Sequence, residues 1–101
     1  MARKQDKLTK AAKGAYCQVQ LHPYCLFEPD TVVFAHYNSE SKGVGLKSEN
    51  YWGSFCCMNC HDIIDGRRQV DDITPLEIEQ AKFRGLHRTL KIQIELGNIK
   101  I

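Results

Sequence analysis

The stretch Cys57-Met58-Asn59-Cys60-His61-Asp62-Ile63-Ile64-Asp65-Gly66-Arg67-Arg68 decides how this chain is read. It holds a Cys-x2-Cys knuckle, a histidine directly after it, a carboxylate four residues beyond that histidine, and two arginines. Two intervening residues let a pair of thiolates turn toward one zinc ion, which takes its ligands tetrahedrally. Two sulfurs fill half of such a site, so the rest must come from elsewhere. Cys17 and Cys25 are the only other cysteines besides Cys56, the neighbour of the knuckle. If the residues after Cys60 turn into a helix, His61 and Asp65 stand at i and i+4 on one face. That places two potential ligands for a second, open metal beside the closed zinc site.

A chain of 101 residues is one small domain, and its 43% hydrophobic content gives a marginal core. A structural zinc removes that difficulty, because metal binding is then folding free energy, roughly 10–16 kcal/mol apparent in zinc-finger peptides. No apolar run is long enough for a signal peptide or a membrane span, which points to the cytoplasm and reduced thiols. Clustered cysteines there read as metal ligands before they read as disulfides.

The net charge of +2 is unevenly spread. Arg3, Lys4, Lys7, Lys10 and Lys13 face a single Asp6, so the first segment forms a basic arm on a nearly neutral body. Such an arm attracts phosphate, although a solvated terminus has the same composition.

Residues 3–13 have helix-forming composition, with Gly14 as the stop. Tyr16, Gln18, Val19 and Leu21 suggest an extended strand turning at Pro23. His22 rivals Cys17 as a ligand, since His22-x2-Cys25 also has knuckle spacing, and Cys56-x3-Cys60 is an alternative pair. Residues 31–37, β-branched and aromatic, give the clearest strand, and it contains His36. A long polar loop over residues 38–53 carries Lys42, Lys47, Asn50, Tyr51 and Trp52, a composition able to meet nucleic acid by charge and stacking. A core role for the two aromatics is an equal reading. Residues 54–56 lead into the knuckle as a second strand, and residues 60–66 form a short helix. Thr74-Pro75-Leu76-Glu77 is a helix start with N-cap, proline at N1 and the glutamate of a capping box. Leu76, Phe83, Leu86, Leu90 and Ile94 follow at helical spacing and Gly97 ends the helix; Ile78, Ala81 and Ile92 broaden the apolar surface, so this element sits deep or meets a partner chain as a homodimer. Residues 98–101 are a candidate terminal strand.

The expected architecture is therefore α+β, one domain: a basic arm over residues 1–14, a zinc-bound ββα core over 15–68, and a long helix over 74–97. A ββα unit can set a histidine and a helix-borne metal ligand around one phosphodiester. Hydrolysis needs a base to take a proton from water, a task suited to neutral imidazole near pH 7. It also needs a cation to neutralise charge on the phosphate and leaving oxygen. His36 is the candidate base, His61 and then Asp65 the candidate metal ligands, and Arg67 and Arg68 the candidate phosphate clamps.

The pattern Cys17…Cys25…Ala35-His36…Asn50…Cys57-Met58-Asn59-Cys60-His61-Asp62-x-x-Asp65 resembles the HNH, or ββα-metal, endonucleases. More closely it is similar to the small lambdoid prophage nucleases of the YbcO type, from about Ala11 to Arg68. The resemblance implies an HNH-like fold with structural zinc on Cys17, Cys25, Cys57 and Cys60, His36 as the active residue, and Asn50 as the middle residue orienting it. It also implies a catalytic Mg2+ or Mn2+, and DNA substrates such as branched or recombination intermediates in a phage context. Many HNH nucleases place a metal ligand directly before the base; here Ala35 holds that position and binds nothing. Two functions follow: a metal-dependent DNA endonuclease, or a zinc-stabilised DNA-binding or protein-interaction module that does not cleave.

Overall fold

In a computed structural model, which describes residues 7–37 and 49–100, the β-branched run forms strand β1 (Val33–His36) and the lead into the knuckle forms β2 (Gly53–Cys56). They pair antiparallel, with Val33 opposite Cys56 and His36 opposite Gly53. Tyr37 N continues the ladder by donating to Trp52 O at 2.8 Å. A 3-10 turn over Pro29–Thr31 delivers the chain to β1. Two strands alone are marginal in water and must be covered. A short helix α1 (Lys7–Lys10), helix α2 (Met58–Ile64) directly after β2, and the long helix α3 (Pro75–Glu95) supply that cover.

Helix α3 lies across β2, and its approach is close because Gly85 has no side chain. A Cβ there would stand 2.7 Å from Val19 Cγ2 and 3.2 Å from Ser54 Cβ. The same contact satisfies the outer edge of β2. Phe55 N donates to Thr89 Oγ1 at 3.0 Å, and Phe55 O accepts from Gln18 N at 2.8 Å. Tyr37 Oη shares a hydrogen bond with Ser54 Oγ at 2.7 Å and donates to Lys82 O at 3.0 Å. Val19, Leu21, Val32, Ala35, Phe55, Ile63 and Ala81 close the core around the cysteines.

Several expectations are met. The start of α3 is the capping box read from sequence: Glu77 N donates to Thr74 Oγ1 at 3.1 Å and Thr74 N to Glu77 Oε1 at 3.0 Å. Its end is Gly97 at φ +80°, a conformation that suits glycine. The order β1, β2, α2 is the expected ββα order.

Others are corrected. Residues 16–21 are not a strand: Gln20 takes φ 54°, and the N–H groups of Gln20 and Leu21 go to cysteine sulfurs instead of a ladder. Helix α2 begins at Met58, not at residue 60, because Cys57 is its N-cap and its sulfur accepts from Cys60 N. Residues 98–100 form no strand; Asn98 N and Ile99 N both turn back to Gln93 O. Of the expected helix over residues 3–13, the part before Lys7 lies outside the described residues; among the described ones α1 covers Lys7–Lys10, and i→i−3 bonds from Ala12 N and Lys13 N continue the turn toward Gly14. The buried line of α3 is Ala81, Gly85, Leu86, Thr89 and Gln93, whereas Leu76 and Phe83 stay exposed. No helix among the described residues is long and apolar enough to cross a membrane.

Candidate functional site

Four sulfurs converge at the junction of β2 and α2. The Sγ atoms of Cys17, Cys25, Cys57 and Cys60 all lie within 4.8 Å of one another, and all four residues are buried. Tetrahedral zinc with Zn–S bonds of about 2.3 Å sets its sulfurs roughly 3.8 Å apart; Cys25 Sγ and Cys57 Sγ are 4.0 Å apart. The backbone around them is arranged for thiolates. Gln20 N points at Cys17 Sγ (3.5 Å), Leu21 N at Cys60 Sγ (3.4 Å), Leu26 N at Cys57 Sγ (3.5 Å) and Cys60 N at Cys57 Sγ (3.4 Å). Donors of this kind hold ligand sulfurs in place and stabilise their charge. The donor set therefore fits a metal ion such as zinc.

Electrostatics point the same way. Sulfhydryl contacts from Cys56 and Cys60 hold the Cys17 thiol far below its usual range. Burial first, then the negative charge of its neighbours, pushes Cys25 up to about 12. Contact with Cys17 raises Cys60. A thiolate at Cys17 thus opposes ionisation of Cys25 and Cys60, an effect that a bound cation would relieve.

The rival ligands fall away. His22 is exposed, its ring 5.0 Å from that of Phe27. Cys56 is fully buried but stands outside the four-sulfur group; its contacts with Cys17 and Cys60 raise its pKa.

Sequence reading missed what braces this centre. Arg84 on α3 reaches across and donates to Val19 O and Gln20 O, and Arg88 Nη1 donates to Gln20 Oε1 at 3.1 Å. Asn59 Nδ2 donates to Tyr24 O at 3.1 Å, just ahead of Cys25. The signal for the first loop was present: Gln20 follows Cys17 by three residues, the spacing by which Cys60 follows Cys57, and both N–H groups serve the sulfur three residues back.

One turn into α2, His61 Nε2 meets Asp65 Oδ2 at 2.9 Å. Arg67 joins them, with Nη2 at 2.7 Å from the same carboxylate oxygen and 3.5 Å from His61 Nε2. Its Nε lies 3.6 Å from Asp62 Oδ1. Arg68 takes a different course, stacking over the Tyr24 ring at 4.9 Å. Tyr24 Oη is anchored on Asp72 Oδ1 at 2.6 Å, which raises the phenol's pKa.

At the end of β1, His36 Nε2 is 3.0 Å from Asn50 Oδ1, and the Phe34 ring stands edge-on 5.0 Å away. His36 is thereby joined to Asn50, and His61 to Asp65 and Arg67. Along the chain, β2 and the Cys57 cap come between Asn50 and His61. Lys42 and Lys47 lie outside the described residues.

Comparison with known proteins adds to this geometry. A family model described as "Putative nuclease YbcO" matches residues 6–98. The "Putative nuclease YbcO" of Escherichia coli strain K12 is 34% identical over 94 residues, covering 92% of this chain and 96% of that protein. The "Putative nuclease ybcO" of Enterobacteria phage 82 matches with the same identity and coverage. A solved structure described as a putative bacteriophage protein from Escherichia coli K-12 MG1655 superposes with a TM-score of 0.73 at 29% identity, covering 89% of this chain and 99% of that one.

Proposed function

The chain belongs to the YbcO family, whose members are described as "putative nuclease", and from that membership we propose that it is a metal-dependent DNA endonuclease. Branched or recombination intermediates are its proposed substrates, in keeping with a relative from a phage. The observation that carries the proposal is the bond between His36 Nε2 and Asn50 Oδ1. An amide oxygen can only accept, so Nε2 bears the proton and Nδ1 keeps its lone pair. A neutral imidazole fixed in that tautomer is suited to take a proton from water near pH 7.

The four sulfurs hold structural zinc and fix the turn from β2 into α2, and with it the place of His61. His61 and Asp65 offer one nitrogen and two oxygens to a divalent ion such as Mg2+ or Mn2+. When bound there, that ion would neutralise charge developing on the phosphate. Arg67 and Arg68 supply cationic donors for flanking phosphates, and Lys42 and Lys47, outside the described residues, are further phosphate contacts by their charge alone.

A second reading rests on one specific observation. Asp65 Oδ2 already accepts from Arg67 and faces His61, and Ala35 supplies no ligand beside His36. A site whose carboxylate is neutralised by its own arginine is suited to a zinc-stabilised module that binds DNA or protein without cutting. Supercoiled and branched DNA incubated with Mg2+ or Mn2+ separates the two. Cleavage by the wild type, lost in His36→Ala while zinc content and DNA binding persist, supports the nuclease. Binding without cleavage under either metal supports the module.

A further inference from the structure

Helix α3 turns an apolar strip away from its own core. Leu76 is 67% exposed, Phe83 70% and Ile94 38%, and half-buried Leu90 lies between the last two. At roughly 100° per residue these four positions fall within about 40° of one another, opposite the buried line through Ala81, Gly85 and Thr89. Scattered apolar side chains on a surface need no explanation; four in one line on the outer face of a helix do.

The spacing says what kind of surface this is. Residues 76, 80, 83, 87, 90 and 94 alternate steps of four and three, the spacing of a seam between two helices. The seam is nearly symmetric about Gly85. In an antiparallel pair with a second copy, Leu76 meets the partner's Ile94, Gln80 meets the partner's Leu90, and Phe83 meets the partner's His87. Charge selects the same arrangement. Glu77 and Lys91 lie on one flank of the seam, near opposite ends of the helix. Antiparallel pairing brings Glu77 beside the partner's Lys91, and two-fold symmetry does so twice. In a parallel pair the two copies' Glu77 lie on opposite flanks of the seam, as do the two copies' Lys91, and the Glu77–Lys91 contact does not form.

We propose that the outer face of α3 is a homodimer interface, an antiparallel helix pair centred on Phe83 and His87. None of His61, Asp65 and Arg67 is on α3. Light scattering on a sizing column tests it with the intact chain at micromolar concentration. The wild type should run at twice the 11.6 kDa chain mass. Phe83→Glu should run as a monomer with unchanged zinc content and helical circular dichroism. Lys91→Glu should raise the dimer dissociation constant by about tenfold at low salt, and Lys100→Glu, which lies off the seam, should leave it unchanged. A monomeric wild type, the result if the strip serves a different protein or a nucleic acid, overturns the proposal. So does a dimer that survives both Phe83→Glu and Lys91→Glu.

Discussion

His36 Nε2 sits 3.0 Å from the side-chain oxygen of Asn50, and this pairing decides which ring nitrogen is available for chemistry. The Phe34 ring stands edge-on to the His36 ring, 5.0 Å between centroids. His36→Ala should therefore lower the rate of plasmid nicking by about 10²–10⁴-fold, the range for loss of a general base. Asn50→Ala should cost less, about 10–100-fold, because the base remains but is no longer held. Zinc content should be unchanged in both. A His36→Ala protein that nicks at the wild-type rate would remove this histidine from the mechanism.

The cysteine centre predicts a different failure. Cys60 lies in α2, and its sulfur accepts from Leu21 N across the centre. Cys60→Ser should abolish stoichiometric zinc, read by elemental analysis, together with the cooperative melting transition. The apparent zinc contribution in small domains, roughly 10–16 kcal/mol, is as large as the whole stability of a typical domain, about 5–15 kcal/mol. A strong chelator should unfold the wild type in the same way, and more readily as the pH falls, since protons compete for the thiolates. A Cys60→Ser protein that melts cooperatively at the wild-type temperature would show that the ion is dispensable.

Why was the four-cysteine cluster legible from sequence while the exposed apolar strip of α3 was not? Cysteine spacing encodes a geometric requirement directly: the two-residue gap of the knuckle turns two sulfurs toward one point. The capping box at Thr74 and Glu77 is local in the same sense. The buried face of α3 is decided by a distant edge. Strand β2 leaves Phe55 N unpaired on its outer side, so a hydroxyl, Thr89, is buried there, and the close approach demands glycine at position 85. Gln93 is buried to donate to Leu8 O at 2.7 Å. Polar and small residues thus fill the inside while Leu76 and Phe83 stay out, the reverse of what an apolar count implies. The loop over residues 16–21 misled for a related reason: its apolar residues alternate as in a strand, but its N–H groups are committed to sulfur.

Arg67 is already a cation at the His61–Asp65 pair, 2.7 Å from Asp65 Oδ2. A divalent ion binding there must share or displace it. Arg67→Ala should tighten Mn2+ binding, measured by electron paramagnetic resonance titration. The gain should stay within about fivefold, because an ion pair this exposed contributes little, up to about 1 kcal/mol. The same variant should weaken DNA binding and reduce the slope of log affinity against log salt by about one phosphate contact. Unchanged Mn2+ affinity would place the ion elsewhere; an unchanged salt slope would remove Arg67 from the DNA surface.

Gly53 stands directly opposite His36 in the sheet, and a side chain there has nowhere to go. Its Cβ would strike the Ala35 carbonyl oxygen and come 2.7 Å from Phe34 Cε1, the ring that packs against His36. Because the first obstacle is backbone, relief requires β1 itself to shift. Gly53→Ala should destabilise the protein by about 1–3 kcal/mol in chemical denaturation, the range for forced overpacking, and displace His36 from Asn50. Gly85→Ala provides the comparison. Its Cβ meets Val19 and Ser54 on the α3 side of β2, and the strain there is partly offset by a gain in helix propensity of about 1 kcal/mol. Both variants should retain zinc, but Gly53→Ala should lose nicking activity well beyond what its fraction unfolded explains, while Gly85→Ala loses activity only in step with stability. Equal behaviour of the two would mean that the register of His36 against Gly53 has no part in positioning the base.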